Sequence, residues 1–243
     1  IALRLVGSEM CIRDRACTST VFGSTYLDYI KDEIKTLFKD SKKILFIPYA
    51  RPNGLSHEKY TGIAFSFFKK LGIHISGIHE FKDLKKAIND SDGIFIGGGN
   101  SFLLLKQLID NDLTSTLKKV ITSGKPYLGT SAGINICGPS ICTSNDMPII
   151  HPSSFEALNI VPFNINPHYQ DPIANNQHMG ETRETRIKEF HFFNSQKVIG
   201  LREGSFLIIN GQNHILKGNK KAIVFEKNKK PYEVDTNFNL NKL

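Results

Sequence analysis

The chain has 243 residues, of which 40% are hydrophobic and 22% charged, a balance typical of globular proteins with a sizeable buried core. No apolar run approaches the ~18–20 residues that a membrane-spanning helix needs, which argues against a membrane protein. The 31 Lys and Arg residues exceed the 23 Asp and Glu residues and give a net charge of +8. Such a balance can serve nucleic-acid binding, but the lysines are dispersed, which favours an ordinary solvated surface.

The cysteines and the N-terminal residues bear on the compartment. The four cysteines form neither a metal-type Cys-x-x-Cys pair nor the disulfide framework of a small secreted domain; they are Cys11, Cys17, Cys137 and Cys142. Residues 1–15 lack the apolar core of a secretory signal. The sequence therefore predicts a reducing, cytoplasmic setting.

Residues 1–15 also differ from the expected start of an α/β domain. A hexad that is apolar apart from Arg4 is followed by Gly-Ser-Glu-Met-Cys and, after Ile12, by a charged Arg-Asp-Arg run, where an apolar strand is expected. We therefore predict that residues 1–15 are a non-native or disordered leader and that a single α/β domain covers residues 16–243. The alternative is that Ala2–Val6 is the first strand, with a long connection behind it.

Strand-like and helix-like segments alternate along the chain, which predicts a mostly parallel sheet with helices on both faces. In chain order, the N-terminal half predicts a helix from Tyr26 to Phe38 capped by Ser24, a strand at Lys43–Pro48, a helix from Ser56 to Gly72, a strand at Ile73–Ile78, a helix at Asp83–Ile88 and a strand at Gly93–Ile96. Then follow helices through Phe102–Leu108 and Leu113–Ile121, a strand at Pro126–Leu128, loops after Thr143, a helix at Glu184–Phe193, and strands at Val198–Leu201, Phe206–Ile209 and Ala222–Phe225.

The sharpest motif is Gly129-Thr-Ser-Ala-Gly133, a G-x-S-x-G sequence directly after a predicted strand. In that context a sharp strand-to-helix turn holds a serine hydroxyl out towards solvent, and the flanking glycines remove side chains that would clash. The N–H of Ala132, at the start of the helix, could stabilise an oxyanion. The motif predicts Ser131 as a nucleophile; the alternative is a small-residue turn around a buried capping serine.

A serine nucleophile needs a base, and the base needs an orienting group. Among the 8 histidines, His168 follows Pro167, whose fixed φ can hold the imidazole in place. Asp146, which lies between the serine and the histidine in sequence, is the candidate third group. An Asp before Met-Pro is also a common turn residue, so a turn cap is the competing interpretation.

Three further segments carry potential chemistry. The triple glycine Gly97–Gly99 lacks the Lys-Ser/Thr of a P-loop and the spaced glycines of a dinucleotide fingerprint. Because neighbouring strand ends converge in a parallel sheet, we expect these glycines to supply a second oxyanion donor beside Ser131. The charged run 180–186 resembles a solvated helix start, and Glu203 ends a strand, where its carboxylate could bind an amine or form a turn.

Several runs, taken in order, resemble a serine peptidase family that contains peptidase E, the α-aspartyl dipeptidases, and also the cyanophycinases. They are Phe46-Ile-Pro-Tyr-Ala50, Gly97-Gly-Gly-Asn100 with Leu104-Leu-Lys-Gln107, Gly129-Thr-Ser-Ala-Gly133, Thr143-Ser-Asn-Asp-Met-Pro-Ile149, Ile165-Asn-Pro-His168, Gly180-Glu-Thr-Arg183 and Leu201-Arg-Glu-Gly204. The resemblance spans about residue 18 to at least residue 217. Thr130 departs from it, since family members often carry an aromatic residue there; the change would alter the pocket but not the turn.

The resemblance implies an α/β three-layer sandwich like that of the class I glutamine amidotransferases, with the nucleophile on a strand-to-helix elbow. It implies a cytoplasmic dipeptidase that releases N-terminal aspartate from Asp-X dipeptides and needs no metal or other cofactor. Ser131 would attack the carbonyl, His168 would carry the proton, and the amides of Gly99 and Ala132 would hold the oxyanion.

Two site assignments follow from the same resemblance. Family accounts place either Asp146 or Glu203 as the third member of the triad; we expect Asp146 and keep Glu203 as the alternative. Outside the triad, Glu203 could pair with the substrate's α-ammonium group. Arg183 is the candidate for binding the substrate's aspartyl carboxylate, because a guanidinium offers a bidentate fork to a carboxylate.

Competing functions come from the same fold and from a different class. A cyanophycinase-like hydrolase of aspartyl polymers is the nearest alternative, and a non-catalytic basic nucleic-acid-binding protein is the alternative from another class. A general α/β-hydrolase esterase is disfavoured. That fold usually places its catalytic histidine far downstream, near the C-terminus, whereas His168 follows Ser131 by only 37 residues. The expected partner is a small peptide, with no nucleic acid or membrane, and the expected state is a monomer or homodimer.

Overall fold

Strands and helices alternate along the chain in a computed structural model that describes residues 12–52, 55–172, 180–211 and 213–243. The strands are β1 (Ile12–Ala16), β2 (Lys43–Ile47), β3 (His74–Gly77), β4 (Gly93–Ile96), β5 (Tyr127–Thr130), β6 (Asn164–Asn166), β7 (Val198–Gly200), β8 (Ser205–Asn210), β9 (Asn213–Gly218), β10 (Ala222–Phe225) and β11 (Tyr232–Val234). The α-helices are α1 (Lys31–Leu37), α2 (His57–Lys70), α3 (Leu84–Asp90), α4 (Ser101–Asp110), α5 (Thr114–Thr122), α6 (Ala132–Asn135) and α7 (Arg183–Phe193).

A seven-stranded sheet forms the centre, in the order β3-β2-β4-β5-β1-β8-β9. The five strands from β3 to β1 are parallel to one another, and β8 and β9 add an antiparallel hairpin at one edge. A second sheet has the order β11-β10-β7-β6. The prediction of a mostly parallel central sheet is confirmed, and the parallel pairing brings the carboxyl ends of β4, β5 and β1 together.

Both faces of the central sheet are covered by apolar side chains. Successive residues of a strand point to opposite sides, so the consecutive apolar residues of each strand contribute to both faces. One face packs against α1 and α2, through a set of buried residues that includes Ile34, Phe68, Phe46, Phe95 and Leu128. The other face packs against α4, α5 and the second sheet, through a set that includes Leu105, Leu117, Ile47, Ile96 and Ile199. The predicted three-layer α/β architecture is therefore confirmed.

Helix boundaries follow the sequence signals at α2 and depart from them at α1. Ser56 caps α2 by accepting a hydrogen bond from the Lys59 N–H at 3.3 Å, as the sequence predicts. The predicted cap at Ser24 is wrong: Leu27 has φ +57°, which interrupts the helical path, and the helical part begins with a 3-10 turn at Asp28–Ile30. Among the described residues the longest helix is α2, with 14 residues, and none is long and apolar enough to cross a membrane.

Strand β1 places the beginning of the sheet before the predicted boundary at residue 16. It lies between β5, to which it is parallel, and β8, to which it is antiparallel. Pairing on both sides satisfies its backbone groups, and such tertiary context outweighs the weak strand propensity of the Arg-Asp-Arg run. The first 11 residues, including the alternative strand Ala2–Val6, lie outside the described residues, so the nature of the leader stays a prediction.

Candidate active site

Ser131 lies at a sharp turn between β5 and α6. Its φ of 51° and ψ of −108° are sparsely populated for a residue with a side chain and cost about 1–3 kcal/mol. Hydrogen bonds fix the turn: the Ser131 N–H donates to the Ala16 carbonyl at 3.3 Å, and the N–H groups of Ile134 and Asn135 donate to the Ser131 carbonyl at 3.0 Å. The structure therefore has the strand-to-helix elbow that the G-x-S-x-G motif predicts.

The two flanking glycines are required by close backbone approach. A Cβ atom at Gly129 would lie 2.5 Å from the Gly133 carbonyl oxygen, and one at Gly133 would lie 2.4 Å from the Ile96 carbonyl oxygen. Real Cβ atoms do not approach a carbonyl oxygen so closely, because both contacts are far inside van der Waals distance. The glycines thus let β5 and the start of α6 pack directly against β4.

His168 connects Ser131 to a carboxylate. Its Nε2 lies 2.9 Å from Ser131 Oγ, and its Nδ1 lies 2.8 Å from Glu203 Oε1. The three side chains follow β5, β6 and β7, so the ends of three strands from two sheets converge. The sequence predicts loops where β6 lies; this strand has only three residues, two of which are asparagines, so its apolar signal is confined to Ile165.

Asp146 lies elsewhere, and the expectation that it orients His168 is corrected. Its Oδ2 accepts hydrogen bonds from the Ser101 N–H at 2.7 Å and from the Ser144 hydroxyl at 2.9 Å. Ser101 is the first residue of α4, where a carboxylate is stabilised by free N–H groups and by the helix dipole. Both ring nitrogens of His168 are already occupied, so Glu203, the stated alternative, is the carboxylate at the imidazole.

The segment around Asp146 instead holds the backbone before His168. The Asn166 side chain donates to the Thr143 carbonyl at 2.8 Å and to Asn145 Oδ1 at 2.7 Å. Asn145 in turn donates to the Pro167 carbonyl, and the Thr143 hydroxyl donates to the Ile165 carbonyl at 3.0 Å. Sequence reasoning missed these residues as a network. The available signal was that polar residues occur in both of the runs concerned, 143–149 and 165–168.

Cys17 is a second support that sequence reasoning missed. It follows β1, is fully buried, accepts a hydrogen bond from the His168 N–H at 3.1 Å and donates one to the Leu201 carbonyl at 3.1 Å. Burial raises the pKa of its thiol to about 12, and the hydrogen bond from His168 opposes that shift only in part. Cys17 is therefore a neutral thiol that joins the His168 loop to the end of β7, two residues before Glu203.

The Gly97–Gly99 loop lies beside Ser131, as predicted. A Cβ atom at Gly98 would lie 2.9 Å from Ser131 Cβ, so the loop backbone runs directly against the elbow. Within the described ranges, the N–H groups of Gly99 and Ala132 donate to no protein acceptor. Both amides are thus available to an oxygen atom at Ser131.

Arg183 begins α7, and its side chain is half-buried. Partial burial and the neighbouring Arg186 lower its pKa from the ordinary value, while the Asp146 carboxylate acts in the opposite direction. Considering only the residues that the structure describes, the Arg183 guanidinium forms no ion pair. Arg183 is therefore a cation in the field of Asp146 with its hydrogen-bonding fork available.

The site combines a serine, a base, a carboxylate and two amides, a set that suits acyl transfer. The imidazole can take the serine proton at Nε2 while the carboxylate stabilises the resulting cation at Nδ1. No group of three or more His, Cys, Asp or Glu side chains in the described part of the chain is placed to hold a metal ion.

Comparison with known proteins agrees with this chemistry. The model of peptidase family S51 matches residues 16–217. A Drosophila melanogaster protein named "Probable alpha-aspartyl dipeptidase" is 41% identical over 212 residues, which cover 86% of this chain and 87% of that protein. A peptidase E of Streptomyces coelicolor is 40% identical over 225 residues, covering 93% of this chain and 91% of that one. The crystal structure of a peptidase from an acI-B1 actinobacterium shares the fold, with a TM-score of 0.72 at 17% identity over 96% of this chain and 98% of that chain.

The raised pKa of Cys17 makes stability depend on pH. The unfolded chain loses the thiol proton near the ordinary pKa of 9.0, whereas the folded chain keeps it up to about pH 12. Between these values the unfolded state binds fewer protons, so the free energy of unfolding falls as pH rises, by up to about 1.4 kcal/mol per pH unit. Urea unfolding at pH 8 to 10.5 should show a smaller fall in Cys17→Ser than in the wild type.

The exposed Cys142 provides the matched control for this measurement. Cys142→Ser should keep the pH dependence of the wild type, since its side chain is not buried in the folded chain. Equal slopes for the wild type and Cys17→Ser would contradict the assignment of Cys17 as a buried, neutral thiol.

Proposed function

Because the chain belongs to peptidase family S51, we propose that it hydrolyses dipeptides with an N-terminal aspartate through a Ser131–His168–Glu203 triad. The observation that carries the proposal is the hydrogen-bonded chain in which His168 lies 2.9 Å from Ser131 and 2.8 Å from Glu203. The names of the Drosophila and Streptomyces relatives support the substrate class.

In the first half of the reaction, Ser131 Oγ attacks the peptide carbonyl carbon while its proton passes to His168 Nε2. Glu203 stabilises the imidazolium through Nδ1 and keeps the ring in the tautomer that accepts this proton. The carbonyl oxygen becomes an oxyanion, which the N–H groups of Gly99 and Ala132 stabilise. His168 then gives the proton to the leaving amine as the C–N bond breaks, and an aspartyl ester remains on Ser131.

In the second half of the reaction, water takes the place of Ser131 as the nucleophile, and Ser131 Oγ becomes the leaving group. His168 takes a proton from a water molecule, whose oxygen attacks the ester carbonyl, and the second oxyanion is held by the same amides. The proton returns to Ser131 Oγ as the ester bond breaks, and aspartate leaves. Each proton that His168 accepts is thus returned, so the enzyme is regenerated without a cofactor.

Arg183 supplies the selectivity in this proposal. A guanidinium binds a carboxylate through two parallel hydrogen bonds, and partial burial strengthens the pairing by excluding water. With Asn-X or Ala-X the half-buried cation would keep no carboxylate partner in the substrate, and the transition state would lose that stabilisation. The nearby Asp146 carboxylate compensates part of the Arg183 charge in the free enzyme.

Hydrolysis of Asp-Leu by the wild type and by Ser131→Ala is the primary test. Removing the nucleophile should lower kcat by at least about 10⁴-fold, and Ser66→Ala, on the exposed face of α2, should leave it unchanged. Chromatography of released aspartate measures both. Retained hydrolysis in Ser131→Ala would contradict the proposal. A wild type that degrades an aspartyl polymer but not Asp-Leu would favour the cyanophycinase-like alternative instead.

The assignment of the third residue is tested by removing one charge at a time. Glu203→Gln should lower kcat by about 10²–10⁴-fold, because the imidazolium loses its counter-charge and its tautomer control. Asp146→Asn should act mainly on KM, through Arg183 and the start of α4. Steady-state kinetics on Asp-Leu separates the two effects. If Asp146→Asn lost more in kcat than Glu203→Gln, Asp146 would regain the role that the sequence suggested for it.

Arg183→Ala should reduce kcat/KM for Asp-Leu by about 10²-fold or more, because an ionic, bidentate contact to the substrate is lost. The melting temperature should change little, since Arg183 forms no ion pair within the described residues. Arg186→Ala, one turn along α7 and 3.9 Å from Glu181, is the matched control and should retain activity. Unchanged Asp-Leu hydrolysis in Arg183→Ala would show that another group binds the aspartyl carboxylate.

A further inference from the structure

The peptide unit between Gly98 and Gly99 is held from the side opposite Ser131. Tyr60, on α2, is 1% exposed, and its hydroxyl donates a hydrogen bond to the Gly98 carbonyl oxygen at 3.1 Å. The two residues are 38 positions apart in sequence, and the bond joins the helical layer on one face of the sheet to the loop after β4. Nothing in the triad itself uses this contact.

The geometry of a trans peptide relates this contact to the Gly99 N–H. The C=O of one residue and the N–H of the next point in opposite directions, and that N–H lies on the same side of the C–N bond as the first residue's Cα. Here the Cα of Gly98 faces Ser131, since a Cβ atom on it would lie 2.9 Å from Ser131 Cβ. With the carbonyl directed to Tyr60, the Gly99 N–H is therefore on the Ser131 side.

We propose that Tyr60 is a positioning residue for the oxyanion hole, which fixes the Gly98–Gly99 peptide so that the Gly99 N–H faces the reacting carbonyl. This inference rests on the proposed function, because an oxyanion forms only if Ser131 attacks a carbonyl group. Tyr60 touches neither the substrate nor the triad and acts only through the peptide that it holds.

A peptide between two glycines needs such an anchor. Without a Cβ on either side, rotation of the peptide plane meets little steric resistance, and Gly99 already has a φ of +144°. A flipped peptide would direct the Gly98 carbonyl oxygen towards Ser131, where it would repel an oxyanion instead of stabilising it. The Tyr60 hydrogen bond favours the productive orientation and polarises the same peptide, which strengthens its N–H as a donor.

Tyr60 is itself held firmly. Its ring packs edge-on against Phe46, with centroids 5.0 Å apart, and the Arg51 guanidinium carbon lies 5.1 Å from the ring centroid. A Cβ atom at Gly97 would lie 2.6 Å from the Tyr60 hydroxyl oxygen, so the hydroxyl fits directly against the loop. Burial raises the pKa of Tyr60, which keeps the hydroxyl protonated and able to donate.

The test is Tyr60→Phe, which removes the hydroxyl and keeps the ring. Loss of one orienting hydrogen bond should lower kcat for Asp-Leu roughly five- to thirtyfold with KM unchanged. Binding of an aspartate-derived boronic acid, which forms a tetrahedral adduct on serine, should weaken by a similar factor. In the Ser131→Ala background, adding Tyr60→Phe should leave the affinity for Asp-Leu unchanged, because ground-state binding does not use the oxyanion.

Tyr232→Phe is the matched control, since the Tyr232 hydroxyl donates to the Glu226 carboxylate at 2.8 Å on β11, the edge strand of the second sheet. It should keep the kcat and the boronic acid affinity of the wild type, and urea unfolding of both variants reports their folding. A wild type inactive on Asp-Leu would overturn the proposed function. An active wild type with an equally active Tyr60→Phe, or with a loss confined to KM, would overturn the role of Tyr60 alone.

Discussion

The contact between Ser131 and His168 depends on two residues held in an unfavourable backbone conformation. Ser131 has a φ of +51° and His168 a φ of +53°, values that residues other than glycine rarely adopt. Such conformations persist only where surrounding contacts outweigh their cost. The fold therefore has to supply those contacts, and they come from several strands and loops around the two residues.

Each of the two residues has its own set of supports. Ser131 is fixed by the packing of β5 and α6 against β4, which only glycine at positions 129 and 133 permits. His168 is fixed by a thiol, through Cys17, and by side-chain amides, through Asn145 and Asn166. Because these contacts are buried or partly buried, loss of one partner would leave an unsatisfied polar group as well as a mobile imidazole. Rigidity of the site is thus built from polar contacts at the ends of strands.

The two carboxylates of the site interact with different groups. Glu203 lies at the imidazole, and Asp146 lies at the start of α4 in the field of Arg183. The net charge of +8 says little about this arrangement. What matters locally is that the half-buried Arg183 lies in the field of the Asp146 carboxylate and forms no ion pair with the residues that the structure describes.

The sequence by itself determined the parallel sheet and the tight turns that local patterns encode. Alternating apolar segments predicted the parallel sheet, the G-x-S-x-G motif predicted the elbow at Ser131, and the Gly97–Gly99 run predicted a loop beside it. These signals are short-range, since strand period, caps and tight turns depend on neighbouring residues.

The tertiary structure alone decided which groups meet across long sequence separations. Sequence reasoning favoured Asp146 over Glu203, placed the start of the domain after most of β1, and gave no role to Cys17 or Tyr60. Cys17 reaches His168 across 151 residues, and Glu203 reaches it across 35. Spacing along the chain carries no information on such contacts, because they are set by the order in which strands join the two sheets and by where each strand ends.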